Sequence, residues 1–226
     1  MSLLGRLFGK KAANVLREDE SFFFLSSVKG VIHIGANYGQ ERELYAGHGL
    51  RVLWVECLED VFDKLRENLR GYPRQKAARA LLTDKEGQEY FFNVSDNEGA
   101  ASSSIFDFAD HKRLWPEVRM TKTVQLRSAT LPALLAQEGI AGSEFDALVM
   151  DTQGSELLIL KGAEQMLGSF KFVKTEAADF EAYQGGCVLM EMDAFLKAAG
   201  FARIYCKPFA GEKSVGSYYE VVYKKE

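Results

Sequence analysis

The sequence contains few cysteines and has no excess of positive charge, and each of these absences excludes a class of protein. The three cysteines, Cys57, Cys187 and Cys206, lie far apart and lack both the paired spacing of a zinc site and the density of a disulfide framework. We therefore predict buried thiols in a reducing cytoplasm and no metal site. A formal net charge of -4 argues against a nucleic-acid partner, because binding to phosphates requires clustered Lys and Arg in excess.

Long hydrophobic runs are also missing. No segment approaches the length of a membrane span, and the N-terminal residues lack the apolar core and the cleavage site of a signal peptide. Residues 1–27 fit either a weak interfacial amphipathic helix or a helix packed on the edge of the domain, and we prefer the second. We expect no stable membrane insertion. With 47% hydrophobic residues and only four prolines, residues 28–226 are enough for one sizeable core and too few for two domains.

Short apolar runs alternate along the chain with segments of helical periodicity. The runs occupy residues 31–34, 51–56, 76–82, 145–151, 170–176, 201–206 and 217–223. Because they are continuously apolar, they indicate strands that are buried on both faces of a mostly parallel sheet. Together with the short connections, this alternation predicts a doubly wound α/β domain, a Rossmann-like fold whose ligands bind beyond the carboxyl ends of the strands.

Helices are predicted between these strands. Apolar residues recur four positions apart in 61–69 and in 159–167, and a third helix is predicted over roughly 189–199. We expect left-handed caps at the glycines that follow them, Gly71, Gly168 and Gly200.

Residues 88–126 interrupt this pattern with a hairpin-like insertion, EYFFNVS and TKTVQLR around a polar stretch. An excursion of this length is typical of a functional or mobile loop. Its polar side chains suit a hydroxyl-rich ligand and its aromatic faces suit sugar rings, with a structural loop covering the sheet as the alternative. The substrate-binding candidates are Asn97, Ser102, Ser103, Ser104 and His111, the last being also a third candidate base, with a surface histidine as the alternative.

The segment VIHIGANYGQ, residues 31–40, places two glycines directly after the first predicted strand. Gly35 permits a sharp turn, Asn37 tolerates a left-handed conformation, and Gly39 opens the first helix, whose backbone N–H groups point above the sheet. The pattern GANYG fits the GxGxxG loop of dinucleotide-binding proteins poorly. By itself it indicates either a ligand-binding turn or an ordinary strand-to-helix turn.

Glu56 strengthens the first of these interpretations. It ends the second strand about 20 residues after the loop, where an acidic side chain accepts hydrogen bonds from a ribose diol in wound nucleotide-binding folds. The third strand ends in LLTD, so that Thr83 and Asp84 either border an adenine or form a surface turn. The sequence therefore predicts a nucleoside ligand held between bare backbone and a carboxylate.

Two carboxylates end neighbouring strands farther along the chain. Asp151 terminates an apolar strand in MDTQGSELLILKGA, residues 150–163, and Glu176 ends the next strand. Such neighbours raise one another's pKa, and they supply a general base or attract a cation, although the spacing alone does not demand a metal. Glu156, at the start of the following helix, is interpreted as helix-end stabilisation.

The motifs VIHIGANYGQ, WVECLED, ALLTDKEG, SSSI, DTQGSELLILKGA and VKTEAADF occur in an order and spacing that resemble the FkbM family of S-adenosylmethionine-dependent methyltransferases. The resemblance covers roughly residues 28–206, and DTQGSELLILKGA is its most specific part. It implies a class I methyltransferase sheet of seven strands with a reversed final strand. It also implies O-methylation of a hydroxyl on a sugar, glycan, glycolipid or polyketide-type metabolite, with S-adenosylmethionine as cofactor.

Carried over by position, the resemblance divides the candidate residues between the two halves of the site. Gly35, Asn37 and Gly39 would line the methionine half of the cofactor. Glu56 would hold its ribose. Asp151, Gln153 and Glu156 would form the family's DxQGxE segment under the methyl group, and Glu176 would be the acidic end of strand five.

The chain departs from the family at His33, where members commonly carry an Asp. A neutral imidazole can hydrogen-bond a loop N–H or the ammonium of the cofactor but supplies no negative charge, and a structural histidine is the alternative. Tyr38 is placed to cradle the sulfonium with its ring, or else lies in solvent.

Methyl transfer to an alcohol requires a positioned acceptor and a base for its proton. We expect Asp151 to be this base, with Glu176 as the second candidate, and a small-molecule or glycan hydroxyl as the acceptor.

Two other functions are compatible with the same residues. An NAD-dependent oxidoreductase would use the same loop and Glu56, and a non-catalytic nucleotide-binding module would bind the cofactor without turnover. The acidic balance and the absence of an NPPY-like segment disfavour a nucleic-acid methyltransferase.

Overall fold

The structure is a computed structural model, and it describes residues 20–226. Most of the predicted N-terminal helix, residues 1–19, lies outside the described residues. A 3-10 helix, Glu20–Ser27, precedes the first strand and buries Phe24 and Leu25 against the sheet. None of the helices in residues 20–226 combines the length and the apolar character that a membrane span requires.

A seven-stranded sheet forms the centre of the molecule. In chain order the elements are β1 (Gly30–Ile34), α1 (Arg42–Gly47), β2 (Arg51–Glu56), α2 (Glu59–Asn68), β3 (Gln75–Arg79), β4 (Leu81–Leu82), β5 (Glu89–Ser95), α3 (His111–Leu114), β6 (Met120–Ala129), α4 (Leu131–Gln137), β7 (Ala147–Met150), α5 (Glu156–Gly162), β8 (Phe172–Ala178), α6 (Leu189–Ala198), β9 (Phe201–Glu212) and β10 (Gly216–Lys225). The strand order is β3-β2-β1-β7-β8-β10-β9, and only β10 runs antiparallel to its neighbours. This order confirms the predicted doubly wound, mostly parallel sheet with a reversed final strand.

The winding of the sheet reverses between β1 and β7. From β1 the chain proceeds outward to β2 and β3, and it later returns to build β7 and β8 on the other side. Ile34 pairs with Val55 on one neighbour and with Met150 on the other, so the segments after these three strands emerge side by side. Ligands of wound sheets bind at such a switch point.

Both faces of the sheet are covered at its centre, which explains why β1, β2 and β7 are largely apolar. Successive residues of a strand point to opposite faces. Ile32 and Leu148 belong to the core beneath α4, α5 and α6, whereas Val31 and Val149 belong to the core beneath the Glu20–Ser27 helix, α1 and α2.

The third predicted strand, residues 76–82, is two elements in the structure. β3 stays in the large sheet, while Leu81 and Leu82 form β4, which pairs in parallel with β6 in a three-stranded sheet ordered β4-β6-β5. The chain leaves the large sheet at Ala80, whose N–H donates to the carbonyl of Glu56. β5 and β6 run antiparallel and form the predicted hairpin insertion.

Two helix ends differ from the prediction. α5 ends at Gly162 and is followed by a 3-10 helix, Glu164–Ser169. Of the three predicted left-handed caps, only Gly200 has a positive φ, 78°, whereas Gly71 and Gly168 do not. The helix before Gly71 ends in the right-handed residue Leu69, and Gly168 lies inside the Glu164–Ser169 helix, so no left-handed turn is needed at either glycine.

All three cysteines are free thiols. Cys57 and Cys187 are partly buried, but Cys206 is exposed, so the prediction of buried thiols is wrong for Cys206. The reason is that Cys206 lies on β9, the edge strand of the sheet.

Candidate active site

The loop after β1 makes a tight turn that depends on glycine. Gly35 has φ 76°, and a Cβ on it would lie 1.9 Å from the carbonyl oxygen of Asp151. The N–H groups of Gly35 and Ala36 donate to the carbonyl of Val55 at 3.0 and 3.1 Å, which holds the loop against β2. Asn37 adopts a left-handed conformation with φ 47°. The loop is therefore wedged between the ends of β2 and β7.

Glu56 ends β2 beside this loop and is only 8% exposed. Its Oε2 accepts a hydrogen bond from the N–H of Asn37 at 2.9 Å, and its Oε1 accepts from the N–H groups of Cys57 and Leu58 at 2.8 and 3.0 Å. Burial raises the pKa of the Glu56 carboxyl, and these backbone donors oppose the rise. The side chain is thus fixed in one orientation as a hydrogen-bond acceptor.

A crevice lies above the carboxyl ends of β1, β2 and β7. It is lined by bare loop backbone, by the Glu56 carboxylate and by an apolar wall that includes Leu81, Leu82 and Ile159. The predicted site residues that the crevice brings together are Gly35, Asn37, Glu56, Ser103, Asp151 and Gln153.

His33 lies on the opposite side of the sheet from the crevice, which corrects its prediction as a cofactor contact. Its Nδ1 is 3.0 Å from the hydroxyl of Tyr45, and its ring stacks on Trp54 with the centroids 4.8 Å apart. Burial lowers the pKa of His33 to about 3, and the charge of Lys174 adds to the effect. The reason is the alternation along β1, since Ile34 lines the crevice and the residue before it must point the other way.

Four further predicted cofactor residues are absent from the crevice lining within the described chain. Thr83 is fully buried, and its hydroxyl donates to a carbonyl of its own turn at 3.0 Å. Gly39 lies before α1 and does not open it, and a Cβ there would lie 2.8 Å from Cδ1 of Leu65. Its role is close packing against α2. The other two residues outside the lining are Tyr38 and Asp84.

Asp151 follows β7 and begins a compact turn. Gln153 has φ 56°, and its Nε2 donates to Oδ1 of Asp151 at 2.5 Å. The carboxylate of Glu156 accepts hydrogen bonds from the N–H groups of Thr152 at 2.8 Å and of Gly154 at 3.0 Å. Glu156 therefore holds the turn together at the start of α5, and Gln153 orients the Asp151 carboxyl.

Asp151 has the ionisation behaviour of a base near neutral pH. Burial raises its pKa to about 7, the charge of Glu156 adds to the rise, and the hydrogen bond from Gln153 opposes it. Glu176, predicted to end its strand, lies two residues before the end of β8, because β8 continues to Ala178 beside β10. The parallel pairing of β8 with β7 stops at the residues that precede Asp151 and Glu176. The structure therefore places both predicted bases at the same edge of the sheet.

The insertion covers the crevice through hydrogen bonds to both neighbouring loops. Nδ2 of Asn37 donates to the carbonyl of Gly99 at 2.7 Å, and Oγ of Ser104 donates to the carbonyl of Gln153 at 2.8 Å. Tyr183, which lies after β8, bridges the two parts, since its hydroxyl contacts the carbonyl of Ser102 in the insertion at 3.2 Å and Oε1 of Gln153 at 2.6 Å. The cover is thus bound to the glycine loop and to the turn that carries Asp151.

The other polar side chains of the insertion bond mainly to one another. Nδ2 of Asn97 donates to Oγ of Ser102 at 2.9 Å, and Oγ of Ser103 accepts from the N–H of Ser95 at 2.9 Å. Ser103 also lines the crevice. These groups shape the cover, which is the structural alternative considered for this segment.

His111 is buried, although a surface position was the alternative to its predicted role in substrate binding. Its ring is 0% exposed and stacks on Phe108 with the centroids 4.3 Å apart, between Trp115 and Tyr183. Neither ring nitrogen has a hydrogen-bond partner among residues 20–226. Burial lowers the pKa of His111 to about 4, so it is neutral at physiological pH. Enclosed in this way it does not line the crevice.

Two tyrosines that the sequence analysis did not single out lie near Asp151. Tyr183, which follows β8, and Tyr218, on β10, both line a smaller cavity together with Asp151 and Glu176. Neither tyrosine belongs to a motif. The only signal is that Tyr218 stands in the apolar run of the reversed strand, and such a position gives no reason to expect a functional group.

The wound sheet, its switch-point crevice and the carboxylate at the end of β2 define the class of protein, a class I methyltransferase fold. The structure is similar to precorrin-6y C5,15-methyltransferase from Geobacter metallireducens GS-15, with 14% identity, a TM-score of 0.51 and coverage of 97% of this chain and 94% of that one. It is also similar to the METTL16 MTase domain, with 10% identity, a TM-score of 0.51 and coverage of 88% and 60%. At these identities the similarity shows the fold alone.

The methyltransferase FkbM domain matches residues 33–202, and the chain belongs to this family. The sequence is also similar to the 2-O-methyltransferase NoeI of Sinorhizobium fredii (strain NBRC 101917 / NGR234), with 26% identity over 162 residues. The match covers 69% of this chain and 65% of the relative, so this chain spans less than two thirds of that protein's length.

Proposed function

We propose that this protein is an S-adenosylmethionine-dependent O-methyltransferase that acts on a hydroxyl of a sugar, glycan, glycolipid or polyketide-type metabolite. The observation that carries the proposal is the crevice, in which bare backbone at Gly35 and the fixed carboxylate of Glu56 lie beside Asp151. Membership of the FkbM methyltransferase family supports the reaction class.

The residues of the crevice fit this cofactor. A nucleoside needs a flat apolar surface for its base, an acceptor for its ribose hydroxyls and close access to backbone for its polar tail. Leu82 and Ile159 contribute to such an apolar surface, and Glu56 is an acceptor of fixed orientation. At Gly35 and Asn37 the backbone borders the cavity. We therefore assign the base, the ribose and the methionine part to these three regions in turn.

When bound, S-adenosylmethionine supplies a methyl group activated by a positively charged sulfur. The chain's own contribution is to hold the acceptor hydroxyl and to take its proton. Asp151 is the first candidate for this base, since its pKa lies near 7 and it lines the crevice directly. Glu176, on the neighbouring strand, is the second candidate.

An oxygen acceptor is favoured by the relative whose name states 2-O-methylation. Its identity to this chain is 26%, so the name supports a hydroxyl acceptor for this chain and does not identify the molecule. The net charge of -4 disfavours a nucleic-acid acceptor and is consistent with a small molecule or a glycan.

A radiolabel assay tests the proposal. S-adenosylmethionine with a tritiated methyl group is incubated with the protein and with separate lysate fractions of glycans, lipids and small metabolites. We expect label in one fraction, and a loss of about 10²–10⁴-fold with Asp151→Asn, the usual contribution of a general base. Binding of S-adenosylhomocysteine without any transfer would instead identify a non-catalytic module, and the proposal would be wrong.

A further inference from the structure

A second cavity adjoins the crevice on the far side of Asp151 and Gln153. It shares only those two residues with the lining of the crevice. Its other walls include Glu176, Tyr183 and Tyr218. A group in the second cavity and a cofactor in the crevice would therefore meet at the Asp151 carboxylate.

Tyr218 brings an unused hydrogen-bonding group to this cavity. The residue is 5% exposed, and its hydroxyl has no hydrogen-bond partner among residues 20–226. Trp115 and Phe180 pack against its ring, with centroids 5.1 and 5.2 Å away, so the ring is held in place. Burying an unpaired hydroxyl destabilises a protein, and phenylalanine would fill the same space without that cost. A role in ligand binding explains why a tyrosine is present.

The neighbouring tyrosine differs in this respect. The hydroxyl of Tyr183 contacts both Oε1 of Gln153 at 2.6 Å and the carbonyl of Ser102 at 3.2 Å. It therefore belongs to the wall between the two cavities, while the hydroxyl of Tyr218 remains available to a ligand.

The environment of Tyr218 determines which kind of hydrogen bond it makes. Burial raises the pKa of its phenol, and the carboxylates of Glu176, Glu156 and Asp151 raise it further, so the hydroxyl keeps its proton. The three carboxylates line the same cavity as the phenol. A protonated phenol there can donate to a ligand oxygen.

We propose that the hydroxyl-bearing edge of the methyl acceptor enters the second cavity, and that the Tyr218 hydroxyl donates a hydrogen bond to a hydroxyl adjacent to the one that is methylated. This inference rests on the proposed function. Asp151, on the shared wall, accepts the proton of the reacting hydroxyl. A donor aimed at the reacting oxygen itself would weaken it as a nucleophile, so Tyr218 must bind a second oxygen. The substrate is accordingly a vicinal diol, as in a sugar or another polyol, rather than an isolated alcohol.

The first test removes only the unpaired hydroxyl of Tyr218, with the substitution Tyr218→Phe. The probe is the lysate fraction that wild type labels with tritium from S-adenosylmethionine. We expect KM for that fraction to rise about tenfold, the effect of losing one hydrogen bond, with a smaller change in kcat. Affinity for S-adenosylhomocysteine and the melting temperature stay at or above the wild-type values. The matched control is Tyr219→Phe on the same strand, whose hydroxyl bonds to Oδ2 of Asp179 at 2.9 Å and lies outside the cavity.

The second test concerns the diol. Periodate cleaves vicinal diols. If the fraction is treated with periodate before the assay, we expect it to lose its ability to accept label. Unchanged kinetics in Tyr218→Phe, or an acceptor that survives periodate, would overturn this inference and leave the proposed function intact. Loss of S-adenosylhomocysteine binding or of stability in Tyr218→Phe would show a structural role and would also overturn it. If wild type labels no fraction, the proposed function fails first, and the inference fails with it.

Discussion

The backbone N–H of Asn37 donates to Oε2 of Glu56 at 2.9 Å, and this one hydrogen bond joins the glycine loop to the end of β2. The other carboxylate oxygen accepts from the N–H groups of Cys57 and Leu58. Glu56 therefore has two roles, since it fixes the shape of the loop and also lines the crevice that the loop borders. The same arrangement makes the crevice sensitive to small changes in either segment.

Gly35→Ala is expected to damage the crevice. The new Cβ would lie 1.9 Å from the carbonyl oxygen of Asp151, so either the loop or the turn after β7 must move. We predict a loss of S-adenosylhomocysteine affinity of about tenfold or more by titration calorimetry. Gly49→Ala is the matched control, because Gly49 has a similar φ of 67° but open space around it. It should lose roughly 1 kcal/mol of stability and no affinity. Equal affinities in both variants would contradict the prediction.

The rate of methyl transfer should depend on the ionisation of Asp151. Its pKa is raised to about 7, mainly by burial, and only the deprotonated carboxylate accepts a proton. We therefore predict that kcat rises with pH through about 7 and then levels off. In Asp151→Asn this rising limb should disappear along with most of the activity, while S-adenosylhomocysteine still binds. A rising limb that persists in the variant would assign the titration to another group.

His33 should make the protein less stable in acid. Burial lowers its folded pKa to about 3 from an unfolded value of about 6.5, so the unfolded chain takes up more protons between these limits. The contribution of His33 to stability is complete above pH 6.5 and is lost as the pH falls. Relative to His33→Phe, wild type should lose about 1.4 kcal/mol per pH unit below pH 6 in urea unfolding. A stability difference that does not vary with pH would contradict this.

The ion pair between Lys174 and Glu220 should be important for stability. Both side chains are 7% exposed, and the pair joins β8 to β10. Glu220→Gln removes the negative charge and leaves a buried ammonium group, which costs about 3–5 kcal/mol in comparable cases. The control is Glu67→Gln, since the pair of Glu67 with Lys64 is more than half exposed on both sides and should contribute less than about 1 kcal/mol. Urea unfolding at pH 7 compares the two variants.

The sheet could be predicted from the sequence because its strands are covered on both faces. The central strands are therefore largely apolar, and each of the seven predicted runs contains residues of a strand in the structure. The third run, KAARALL, was the exception, since it was predicted as one strand but its Leu81 and Leu82 pair with β6. The choice of partner depends on a strand almost 50 residues away in sequence, at Ser128 and Ala129, and no local pattern shows it.

The residues of the candidate site were predictable to different degrees. Gly35 and Glu56 follow from a turn and a strand end, which are local features. The orientation of His33 could have been inferred from the alternation along β1, because Ile34 faces the crevice. The burial of His111 and the position of Tyr218 depend on rings that come from distant segments, since Tyr183 packs against His111 and Trp115 packs against Tyr218. Such contacts are set by tertiary packing.

The cofactor assignment is tested most directly by titration calorimetry with S-adenosylhomocysteine. The proteins to compare are wild type, Glu56→Ala and the exposed control Glu59→Ala. We predict that wild type and Glu59→Ala bind S-adenosylhomocysteine equally and do not bind NAD. Glu56→Ala should weaken binding by about 1–3 kcal/mol, the loss expected for hydrogen bonds to a charged group. Binding of NAD in place of S-adenosylhomocysteine, or equal affinity in Glu56→Ala, would contradict the assignment of this crevice to S-adenosylmethionine.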